Sequence, residues 1–170
     1  MTDNLDRERT DLLESLTRHR MFLRQTVRDL DDQQIRQRTT VSGLTLASIL
    51  KHVTHMEEMW GRFVIEGPDA IGAFDESTYE MWAEQWRVPD EVTLKELLSA
   101  YNEAAADTDE LIRTVPDLSA SHPLPAAPWF QPGAEWSARR VMLHLIAETS
   151  QHAGHADIIR ESLDGAKTMG

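Results

Sequence analysis

The stretch "HLIAETSQHAGHAD", His144 to Asp157, decides how this chain is read. Steps of four and three residues pick out Val141, Leu145, Glu148, His152, His155 and Ile159 as one face of a helix. The apolar ends of that stripe point it at a core, which places a carboxylate and two imidazoles near the middle of a packed layer. A lone carboxylate there is costly, so Glu148 is expected to be protonated, ion-paired or bound to a metal.

Working outward, Ser137 reads as the N-cap of this last helix, which should run to about Leu163 before Gly165. Upstream, residues 117–136, "DLSASHPLPAAPWFQPGAEW", hold four prolines and no periodicity, and are expected to form a loop. At that length it should serve as a lid or a packed crossover, with Trp129, Phe130 and Trp136 as apolar anchors. Leu94, Leu97, Leu98, Tyr101, Ala105, Thr108, Leu111 and Ile112 mark a third helix after Pro89, ended by Val115 and Pro116. A short piece before it carries Trp82 and Trp86. A second helix is capped near Thr45 and stopped by "EGPDA" after Glu66; Leu46, Ile49, Leu50, Val53, Met56, Trp60 and Phe63 form its buried face. The first helix is predicted from about residue 5 to about residue 36, on the spacing of Leu5, Leu12, Leu13, Leu16, Leu23, Val27 and Leu30. Four long helices with no alternating strand pattern and no repeat predict an all-α, antiparallel four-helix bundle, in a single domain spanning residues 1–170.

The second helix complements the interrupted stripe, because His52 lies among Ile49, Val53 and Met56 on its apolar side. One imidazole from that helix and a Glu–His pair at i, i+4 from the last can converge on one ion. Two imidazoles and a carboxylate suit zinc and leave its fourth position open, the catalytic pattern. His155 then becomes a neighbour behind the ligands, an entrance residue or a base. A closed four-histidine site from His52, His55, His152 and His155 is the alternative; it ranks second because it strands Glu148 and leaves no room for substrate. His144 can point near the site from one turn before Glu148, but reads first as a partly exposed histidine near a helix start; His19 and His122 read as surface or loop residues. Glu57 and Glu58 read as a solvated or ion-paired edge, and Trp60, Trp82 and Trp86 as core and cleft wall. Gly154, inside a helix, suggests close approach of another backbone or a ligand beside His152.

The formal net charge of −12 with no Lys/Arg cluster argues against nucleic acid and anionic membrane as partners. No apolar run is long enough for a membrane span, and no leader pattern opens the chain, so a cytoplasmic protein is expected. There are no cysteines, so any thiol chemistry must use an external thiol. HExxH, GxSxG, a Gly-rich phosphate loop and a repeated Glu-x-x-His are all missing from the sequence. The partner expected is a small molecule, and exposed bundle faces suggest a homodimer.

"SGLTLASILKHVTHMEEMWGR" (residues 42–62) and "EWSARRVMLHLIAETSQHAGHADIIRESLDG" (residues 135–165) together resemble the DinB/YfiT-like superfamily, in particular its actinobacterial branch related to mycothiol-dependent enzymes. The resemblance spans Leu5 to Gly165 and is strongest at His52 and at the E-x-x-x-H-A-G-H-A-D run from Glu148 to Asp157. It implies a four-helix bundle holding a divalent metal through His52, Glu148 and His152, with zinc first and nickel, iron or manganese as alternatives. It also implies a low-molecular-weight thiol such as mycothiol, used in transfer to, or isomerisation of, a small electrophile. Arg139, Arg140 and Arg160 are the basic residues near enough in sequence to meet that thiol. The other reading is a metal-binding stress-response or ligand-binding protein without turnover.

Overall fold

The computed structural model describes residues 2–72 and 84–169. Trp82 lies outside them. Four long helices occur among the described residues: α1 (Thr2–Thr26), α2 (Leu46–Glu66), α3 (Leu94–Thr114) and α4 (Ala138–Asp164). They form the expected bundle, with α4 packed against α1 and α2, and α3 against α2 and α1.

Three of the helix starts are written locally. Thr45 and Ser48 close a capping box at α2, Thr93 and Glu96 do the same at α3, and Ser137 accepts the Arg140 N–H at α4. Gly165, at φ 80°, takes the left-handed conformation that closes α4 and sends its N–H to Glu161 O at 2.9 Å.

The first helix stops at Thr26, well short of the predicted end near residue 36. Asp29 adopts φ 61°, which a helix cannot pass through. Arg160 of α4 donates to the carbonyls of Thr26 (3.1 Å) and Arg28 (2.7 Å) that the broken helix leaves open. Asp31 Oδ1 then accepts from the N–H groups of Gln33 and Gln34, starting a 3-10 turn over Gln34–Arg36. The apolar spacing continues past the break because Ile35 folds back into the same core, fully buried.

Residues 117–136, expected as a loop, carry regular structure at both ends. Two short strands, β1 (Ser121–Pro123) and β2 (Glu135–Ser137), pair antiparallel with His122 opposite Trp136. Leu124 N–H to Ala134 O (2.9 Å) and Arg139 N–H to Leu118 O (2.9 Å) extend the zipper at both ends. A second 3-10 turn, Gly67–Ala70, follows α2, and β1 packs on it. His122 packs against Phe63 at a ring distance of 5.8 Å and so closely over Gly67 that a Cβ there would stand 3.0 Å from Nδ1. His122 is therefore a packing residue that anchors the hairpin to the end of α2.

The core is two apolar clusters. One gathers Leu23, Val27, Ile35, Leu50, Val53, Tyr101 and Ile159; the other gathers Leu16, Trp60, Phe63, Ile112, Val141 and Leu145. Along every helix the change from one cluster to the other passes through polar residues: Arg20 in α1, Glu57 in α2, Thr108 in α3, and Glu148, Thr149 and His152 in α4; His52 lies just before the change in α2. Glu57, expected at an edge, is instead buried and held by Arg20, whose Nε donates to its Oε1 at 2.9 Å. Asp109 takes the same guanidinium at 2.6 Å, so three helices share one charged knot. Full pairing is what makes charge tolerable at this depth.

Candidate metal centre

The polar layer positions the expected trio. His52, Glu148 and His152 each offer a donor atom within 4.8 Å of the other two. Glu148 Oε2 lies 3.5 Å from His152 Nε2 and 3.8 Å from His52 Nε2. These separations exceed the roughly 2.7–3.2 Å of good hydrogen bonds. Donors about 2.0–2.1 Å from a tetrahedral zinc stand about 3.4 Å apart, close to what is seen. Among the described residues His152 Nδ1 is buried with no hydrogen-bond partner, so none of them compensates the burial of that imidazole. The donor set therefore fits a divalent ion. The four-histidine alternative is not assembled among the described residues: the group able to hold an ion includes Glu148 and leaves out His55 and His155.

Gln85, unremarked in the sequence, orients His52. Its Oε1 is a carbonyl acceptor 3.1 Å from His52 Nδ1, so that nitrogen carries the proton and donates, leaving the Nε2 lone pair directed at the trio. Trp86 stacks on the same ring at 3.8 Å and 15°, fixing its plane. The Glu148 carboxyl is held well below the usual carboxylate range, first by the His152 imidazole and then by that of His52. It is an anionic ligand at any working pH.

His155 stands with its ring 5.3 Å from that of His152 and its Nδ1 buried with no partner among the described residues, away from the cavity beside the trio. His55 and His144 line that cavity instead. His144 Nε2 is 3.9 Å from Glu148 Oε1, and its ring meets Trp60 (5.1 Å) and Trp136 (4.9 Å) edge-on. Burial pushes its imidazole below the ordinary value despite Glu148, so His144 is neutral at pH 7. The cavity measures about 300 Å³, and its walls include Met56, Met59, Trp60, Trp129, Phe130 and Trp136. Half-exposed Glu148 opens the trio toward it.

The three arginines divide. Arg139 pairs with Glu8, and Arg160 is occupied by Asp164 and the α1 carbonyls. Arg140 alone comes near the cavity, its Cζ 4.3 Å above the Trp136 ring. Gly154 is exposed, and among the described residues no other backbone comes close to its Cβ position.

Fold and donors together define a DinB-like helical bundle with a His/Glu group able to hold a metal ion. The chain belongs to the mycothiol-S-transferase family, whose model matches residues 11–165. A solved structure, the conserved protein of a locus from Enterococcus faecalis, shares the fold: TM-score 0.66 at 12% identity, covering 92% of this chain and 97% of that one. A comparison with curated proteins gives no match. No helix of the described residues is long and apolar enough to cross a membrane.

Proposed function

We propose that the protein is a divalent-metal-dependent S-transferase in which His52, Glu148 and His152 hold zinc, and a mycothiol-type thiol is delivered to a small electrophile. The observation that carries this reading is the trio's spacing, too long for hydrogen bonds and suited to a shared cation, at the wall of a cavity. A divalent ion bound there favours the thiolate over the thiol, supplying the nucleophile at neutral pH. The chain has no cysteine, so the thiol must be a second substrate.

The chain's own residues supply the rest. Gln85 and Trp86 hold His52 so that its bare nitrogen faces the trio. Glu148 contributes negative charge and, being half-exposed, leaves one side of the group open to the cavity. The indoles and methionines of the cavity exclude water from the reacting atoms and strengthen the electrostatics of the site.

Protein prepared without an affinity tag should contain stoichiometric zinc. After cobalt substitution, added mycothiol should shift the visible absorption bands. Bands that stay unchanged at saturating thiol would overturn the transferase reading and favour a metal-binding protein without turnover.

A further inference from the structure

Helix α4 packs on α1 and α2 with one side and turns another outward. Steps of three and four residues along that outer side pick out Arg140, Leu143, Ala147, Gln151, Gly154, Ile158 and Glu161, all of them exposed. Leu143 and Ile158 are 49% and 60% exposed, large apolar side chains that the folding of one copy leaves wet. Between Arg140 and Glu161, about 32 Å of helix, this face carries no charge. In a chain of net charge −12, a second copy meets least repulsion on such a face. The outer face of α3 is the contrast, with Glu96, Glu103, Asp107 and Glu110 all exposed.

The order of the residues says what covers the face. Arg140 and Glu161, Leu143 and Ile158, and Ala147 and Gly154 are placed symmetrically about the Ser150–Gln151 peptide. Two copies of α4 laid antiparallel about a two-fold axis at that peptide set each residue against its counterpart, and every pair occurs twice. Leucine then meets isoleucine, and arginine meets glutamate. Glu161 also takes Lys167 Nζ at 2.9 Å, but its side chain is half exposed and keeps room for a guanidinium. The steps average three and a half residues, the spacing that holds a seam in contact along two coiled helices. Ala147 opposite Gly154 lets the axes approach to the short end of the usual 8–10 Å. A Cβ on Gly154 would meet no described atom of its own chain within 4 Å, so packing within one copy does not require glycine there.

We propose that α4 is the contact helix of a homodimer, packed antiparallel on α4 of a second copy about a two-fold axis at Ser150–Gln151. A strip about 32 Å long and 10–12 Å wide gives a footprint of roughly 350 Å² per copy, below the roughly 800 Å² of standard interfaces. The dimer is therefore reversible and dissociates in the micromolar range. It stands apart from the thiol reading, because His144 and Glu148 line the cavity from a different side of α4.

Sedimentation equilibrium of the full chain between about 1 and 200 µM should show monomer and dimer exchanging. Ala147→Glu, at an exposed position, sets a carboxylate into the uncharged seam and should raise the dissociation constant about tenfold or more. The chain has no cysteine, so introduced thiols report the register directly. Gln151→Cys, beside the axis, should give a disulfide-linked dimer on air oxidation, and Ser99→Cys on α3 should not. Ala147→Cys and Gly154→Cys should cross-link when mixed but not alone, since each stands about 10 Å along the helix from its own copy and a disulfide spans Cα atoms up to about 7 Å apart. A monomer throughout the concentration series, a dimer unaffected by A147E, no cross-link through Q151C, or A147C and G154C linking alone as readily as mixed overturns the proposal.

Discussion

Replacing Gln85 with leucine isolates the orientation of His52 from its presence. His52 Nδ1–H donates to Gln85 Oε1 at 3.1 Å, and Nε2 faces Glu148 Oε2 at 3.8 Å. Leucine removes the acceptor, so the imidazole loses both its preferred tautomer and one of its two restraints. Loss of such a partner typically weakens metal binding about 10–100-fold, or roughly 1.4–2.7 kcal/mol. The Trp86 stack at 3.8 Å survives the change and still holds the ring plane, so the lower end, about tenfold, is expected here. Gln85→Glu keeps an acceptor of the same reach and adds charge, which raises the basicity of the ligand, and it should bind at least as tightly as wild type. Cobalt affinities measured by competition with a chromophoric chelator decide the matter. Q85L binding cobalt as well as wild type would refute the reasoning, as would equal losses in Q85L and Q85E.

Other changes probe the polar layer from different sides. In metal-free protein the depressed Glu148 carboxyl contributes stability that is present above its ordinary value of 4.5 and lost as pH falls. Wild type should therefore lose stability faster than E148Q on acidification below about pH 4.5, and parallel urea midpoints would contradict this. At neutral pH, E148Q should also bring zinc content down, and unaltered metal would remove Glu148 from the ligand set. Arg20→Met strands buried Glu57 and should cost about 3–5 kcal/mol, lowering Tm by on the order of 10 °C. R20M/E57M should recover most of that loss, and calorimetry showing equal damage in single and double variants would refute the pairing argument. Thr149→Val removes a buried hydroxyl that has no partner among the described residues and should raise the urea midpoint at constant slope, a gain of about 1 kcal/mol; a lower midpoint would show that the hydroxyl is satisfied.

Much of the site could be read before the fold was known because its logic is local. Glu148 and His152 are one helical turn apart on a stripe whose ends are apolar, and His52 is flanked by residues that must bury. Both faces had to turn inward, and the set that uses Glu148 ranked above the four-histidine set that strands it; the structure assembles the former among the described residues. Gln85 escaped because an amide in an irregular segment carries no periodic mark. The aromatic cover of His144 is illegible for a related reason: it comes from Trp60 and Trp136, on elements distant in sequence.

By itself the sequence determined the helices α2, α3 and α4, the caps at Thr45 and Ser137, the apolar stripes, and the residue types that converge in the polar layer. Each of these depends on spacings of a few residues within one element. Tertiary structure alone decided where α1 stops, since Arg160 takes the carbonyls that end it from across the bundle. It also decided that Glu57 belongs to Arg20, and that the proline-rich stretch zips into a hairpin whose aromatic tip walls the cavity. These pairings join groups far apart in the chain, and their partners are chosen by packing geometry, which no local pattern encodes.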